Sequence, residues 1–160
     1  MSYELCALAG LYQVAAQAAD QAGAPVVELP QGYGLVPITP QVLDRLSGGT
    51  APPFGNTFRF LSPGVESLAR KVSHAGPIAY LEAELFGGTG TQAMVAWRDG
   101  EVWLGPATTE FGLGPTDPAS NPQWAFNQAL RQLGVDRGEA FDEFDALNLC
   151  MHRRTEDWPG

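Results

Sequence analysis

Lysine is almost missing from this chain: Lys71 is the only one in 160 residues. With nine Lys and Arg against eighteen Asp and Glu, the formal net charge is −9. A surface of that sign repels the phosphates of nucleic acids and the headgroups of anionic membranes, so neither is expected as a partner. Long hydrophobic runs are also missing. None approaches the roughly 18 apolar residues that cross a bilayer. The N-terminal stretch MSYELCALAGLYQVAAQAADQAG carries Glu4 and no Lys or Arg, whereas a secretory leader opens on positive charge. These absences point to a cytoplasmic protein.

Cysteine and histidine are scarce. Cys6 and Cys150 lie near opposite ends, and without an export signal they read as two reduced thiols. His74 and His152 belong to no HExxH or Cys/His spacing, so no metal and no cofactor are expected. There is no G-x-S-x-G elbow, and Cys6 has no positive neighbour in sequence to lower its pKa. No catalytic residue stands out, and an enzyme is the less favoured reading.

What the chain does have is a globular share of apolar residues, 44%, punctuated by 19 glycines and 13 prolines. Its length suits one domain, residues 1–160, with a single core and many loops. Leu11, Val14, Ala15, Ala18, Ala19 and Ala22 recur at helical spacing before Gly23. Residues 3–9 could be a strand or the start of that helix. Thr39-Pro40, Ser62-Pro63 and Asn121-Pro122 each read as a helix start, since the hydroxyl or amide caps and proline loses nothing at the first helical position. Two segments, 47–57 and 105–120, read as mobile Gly/Pro-rich loops.

Residues 78–86, 91–98 and 101–104 alternate as strands and are joined by GGTG and by Asp99-Gly100, the latter a strong hairpin signal. The expected fold is therefore α+β: a single domain whose antiparallel sheet contains a central three-stranded meander, about 78–104, packed by helices on one face. Ala79, Leu81, Ala83, Leu85, Ala93, Val95, Trp97, Val102 and Leu104 are assigned to the core face. Tyr80, Glu82, Glu84, Phe86, Gln92, Met94, Ala96, Glu101 and Trp103 are assigned to the other face, where large aromatics stand beside carboxylates.

FGGTGTQ (86–92) invites comparison with a phosphate-binding loop. A P-loop requires Lys and Ser/Thr after its last glycine, and a dinucleotide fingerprint opens a helix. Here Thr91 and Gln92 follow and lead into a strand, so the glycines read as a hairpin bend. Glu82 and Glu84, two apart on a strand, share a face with side chains about 7 Å apart. That spacing would suit paired carboxylates in glycoside hydrolysis or around a metal. The plainer reading is a solvated or binding face. The acidic tail segment with Asp142, Glu143 and Asp145 is either a surface for a basic partner or a short amphipathic helix with Phe141 and Phe144 turned inward.

The stretches GYGLVPITPQVLDRL (32–46), GPIAYLEAELFGGTGTQAMVAWRDGEVWLGP (76–106), NQALRQLGV (127–135) and DEFDALNLCMHRRTEDW (142–158) together resemble a group of small uncharacterised actinobacterial proteins. In these a strand ending in Phe-Gly-Gly precedes a Gly-x-Gln strand and an Arg-Asp-Gly turn. The group looks similar to the immunity-protein-like families of bacterial toxin systems. That resemblance implies a small acidic protein that binds and blocks a toxin, with Glu82, Glu84, Phe86, Gly87, Gly88, Gly90 and Gln92 as a functional edge. The leading expectation is thus a non-enzymatic acidic protein-binding domain, an immunity-type inhibitor of a basic protein. Two alternatives stand beside it. One is a small-ligand-binding protein or hydrolase using Glu82, Glu84 and Gln92. The other is a scaffold subunit forming a homo-oligomer through the second sheet face, with Phe86, Met94 and Trp103 in the interface.

Overall fold

A computed structural model describes residues 2–46, 48–49, 51–87, 89–111 and 124–158. In chain order the elements are β1 (Ser2–Leu11), α1 (Tyr12–Ala22), β2 (Val27–Glu28), β3 (Tyr33–Pro37), α2 (Pro40–Arg45), α3 (Pro63–Val72), β4 (Ile78–Phe86), β5 (Thr89–Arg98), β6 (Glu101–Phe111), α4 (Ala125–Leu133) and α5 (Glu143–Ala146), with short 3₁₀ turns at Pro30–Gly32 and Thr155–Asp157. The strands form one six-stranded antiparallel sheet in the order β2-β3-β1-β4-β5-β6. The α+β class and the 78–104 meander are present as expected.

Local chemistry explains most of the helix boundaries. Thr39 accepts from the Val42 N–H and Ser62 from the Val65 N–H at 3.1 Å, each just before a proline at the first helical position. Gly134 closes α4 in the left-handed conformation, φ 105°. The Asn121-Pro122 signal lies outside the described residues. Residues 3–9 resolve as strand: β1 sits between β3 and β4 and is paired on both sides, which a helix could not be.

One feature of the expected fold needs correcting. Helices cover both faces of the sheet. On the first face Leu8, Val36, Ile78, Tyr80, Val95 and Trp97 pack against α1, α2 and α3. On the second, Leu5, Ala7, Leu35, Leu81, Met94 and Ala96 pack against α4, Leu147, Leu149 and Trp158 of the C-terminal segment. Residues 78–83 of β4 and 92–97 of β5 are consequently buried without a break, as in any sheet sandwiched between layers. The face open to assembly in the scaffold reading is occupied: Met94 is fully buried beneath α4, while Phe86 projects from the opposite face.

The expected loop 105–120 is corrected in its first part, since β6 runs on to Phe111; residues 112–120 lie outside the described residues. β6 is an edge strand, where Gly105-Pro106 can be carried, and the register shifts beside it, between Met94 and Trp97. The described part of 47–57 contains no helix or strand.

Candidate functional site

The bend in FGGTGTQ is short. Phe86 pairs with Thr89, Gly87 takes φ 60°, and the Thr89 hydroxyl donates to the Phe86 carbonyl at 2.9 Å. Gly90 is the position that tolerates nothing larger: at φ 136° a Cβ would lie 1.9 Å from the Glu84 carbonyl oxygen. The loop has an even number of residues, so even positions of β4 stand opposite odd positions of β5. Tyr80 faces Val95, Glu82 faces Ala93 and Glu84 faces Thr91.

That parity separates residues expected together. Tyr80, Glu82, Glu84 and Phe86 share the first face. Gln92 is on the second, across from Ala83. Trp103 also packs with the second-face core, where the register shift lets Val102 oppose Trp97 and Leu104 oppose Ala96. Its ring lies 5.4 Å beneath the Arg98 guanidinium. The common Glu82/Glu84/Gln92 face does not exist.

Glu82 is an anchor. It is 8% exposed and accepts from the Tyr80 hydroxyl at 2.7 Å, from the Arg59 N–H at 2.7 Å and from the Phe60 N–H at 2.9 Å. These bonds tie the segment before α3 to the sheet, and the carboxylate's neighbours are the protein's own donors. Cys6, opposite Glu82 on β1, completes this cluster. Burial, reinforced by the Glu82 charge, pushes its thiol up to about 12, and burial likewise raises the Tyr80 phenol well above its ordinary value. Neither thiol is in a disulfide: Cys6 faces the first layer and Cys150 is exposed on the other side.

Glu84 differs. It is exposed and meets Arg59 at 2.6 Å. In register with it across the sheet are Glu4 on β1 and, through Thr91, Glu110 on β6. Strands lie about 4.8 Å apart, so Glu4, Glu84 and Glu110 form a carboxylate row crossing the sheet. All three are exposed. Phe86, two residues beyond Glu84 on the same face, is 73% exposed. Sequence reading missed Glu4, Glu110 and Arg59, because nothing local marks them; only strand order and register bring them beside Glu84.

The tail carboxylates are turned inward. Asp142 caps α5 by accepting from the Asp145 N–H at 2.7 Å and also accepts from the Asn127 amide at 3.2 Å. Glu143 is 7% exposed and meets Arg131 at 3.5 Å, and Asp145 accepts from the Phe141 N–H at 3.2 Å. Phe141 is the exposed member, at 56%. Both expectations for this segment are thus altered: the helix is present, but its first carboxylates are buried and Phe141 faces out.

Among the described residues no three His, Cys, Asp or Glu side chains gather as a metal-binding group, and no helix is long and apolar enough to cross a membrane. Comparison of the chain with protein-family models, curated proteins and solved structures returns no match.

Proposed function

We propose that this is a non-enzymatic, acidic protein-binding domain of the immunity type, which covers a basic surface on its partner. The observation that carries the reading is the exposed row of Glu4, Glu84 and Glu110 with Phe86 beside it. Like charges directly across an antiparallel ladder cost stability, and Glu4 stands directly opposite Glu84 with Arg59 as the paired cation. A partner rich in Lys and Arg would remove that repulsion on binding, while Phe86 supplies an apolar anchor. Paired-carboxylate hydrolysis finds less support, since Glu82 is already held by three donors of its own chain.

The test is binding to a basic protein, sought first among the products of the neighbouring genes. Raising salt from about 50 to 500 mM should weaken the complex at least ~10-fold, chiefly through the association rate. The triple variant Glu4→Gln, Glu84→Gln, Glu110→Gln should weaken it comparably at low salt while melting no lower than the parent. Absence of a complex, or one indifferent to both changes, refutes the proposal.

A further inference from the structure

Between the second sheet face and the C-terminal segment lies a cavity of about 440 Å³, within the roughly 300–1,000 Å³ typical of small-molecule sites. Its walls are aromatic. Phe111 and Trp124 meet edge to face with centroids 5.1 Å apart, and Tyr3 and Phe144 do so at 5.6 Å.

Two polar groups in this lining are unspent. Gln92 is 6% exposed, and its carbonyl accepts from the Phe126 N–H at 3.1 Å. Its amide nitrogen donates to no acceptor among the described residues, although the side chain lines the cavity. Unlike the Trp97 and Trp158 indole nitrogens, which are buried without a partner, this nitrogen is not sealed from solvent and can donate to a molecule in the cavity. Arg153 also lines the cavity; it is exposed and, like Arg137, forms no ion pair among the described residues. An amide donor and a permanently charged guanidinium together suit an acceptor that is also an anion. Asp142, on the same lining, already accepts from the Asn127 amide and the Asp145 N–H, and its charge leaves room for no more than one carboxylate on the ligand.

We infer that this cavity binds a small monocarboxylic acid with an apolar or aromatic body. The carboxylate accepts from Gln92 and Arg153, and the body fills the space between Tyr3, Phe111, Trp124 and Phe144. This inference stands apart from the carboxylate row, which lies on the opposite face.

Titration of the ¹⁵N-labelled protein with phenylacetate, indole-3-acetate and hexanoate tests it. At least one acid should bind saturably with Kd below about 1 mM, moving the Gln92 side-chain amide resonances. Binding should fall at least ~10-fold in Arg153→Gln, and likewise in Gln92→Glu, which keeps an acceptor for Phe126 but adds a charge. Phenylmalonate, with a second carboxylate, should bind more weakly than phenylacetate. The inference is overturned if none of the three acids gives a saturable shift, or if Arg153→Gln, an exposed position that leaves the fold intact, binds as tightly as the parent.

Discussion

At the scale of single residues, a side chain's neighbours decide its role. Glu82 and Glu84 are two apart on one strand and face the same way, yet one is an internal anchor and the other a surface charge. The difference is the segment before α3, whose Arg59 and Phe60 N–H groups reach Glu82 alone. Glu82→Ala should leave those two N–H groups and the Tyr80 hydroxyl without their acceptor, costing about 3 kcal/mol. Urea denaturation would show it as a lower midpoint at unchanged slope; an unchanged midpoint would mean that the anchor contributes nothing. The pairing was legible from the i, i+2 spacing. The division of labour was not, because both anchoring N–H groups lie 22 and 23 residues away in sequence.

At the scale of elements, turn chemistry carries far. Asp99 and Gly100 both adopt positive φ, 54° and 81°, as a two-residue hairpin requires. The Gly100 N–H donates to Ser73 at the end of α3, at 2.8 Å, so the turn is also docked. Gly90 is under tighter constraint than Gly87, because strand pairing brings the Glu84 carbonyl against it. Gly90→Ala should therefore destabilise by more than about 2 kcal/mol, whereas Gly87→Ala, whose position has open space, should cost about 1 kcal/mol for its positive φ. Thermal melts of the two variants would check the order, and equal losses would contradict it. The hairpin was evident from the glycines. The face assignment was not, since it depends on counting loop residues: one step of parity moves Gln92 from beside Glu84 to the base of the opposite cavity.

At the scale of the whole molecule, both layers bury ionisable groups next to the sheet. Cys6 is raised from 9.0 to about 12 by burial and then by the Glu82 charge. Tyr80 is raised by burial, then by Cys6 and Glu82, and Tyr3 by burial, then by Cys150. Below the unfolded pKa both states are protonated, and the stability is complete. Above it the unfolded chain ionises first, so stability falls as pH climbs toward the folded value. Each such group contributes a slope of about 1.4 kcal/mol per pH unit. The urea midpoint should hold steady through pH 8 and drop steeply above pH ~9. Cys6→Ala should delay the onset toward pH ~10, where the tyrosines begin. A flat profile to pH ~11 would show that these groups titrate freely.

The sequence by itself determined the α+β class, two of the helix starts, both hairpins of the meander and the surplus of negative charge. Each rests on short-range causes: capping geometry, the period of apolar residues, positive φ at glycine, and simple counting. Only the tertiary structure decided that both faces of the sheet are covered, that Glu4, Glu84 and Glu110 stand in one row, and that Gln92 and Arg153 both line one aromatic cavity. Those relations join residues from β1, β4, β5, β6 and the C-terminal segment. They depend on strand order and register, which long-range packing sets and no local stretch encodes.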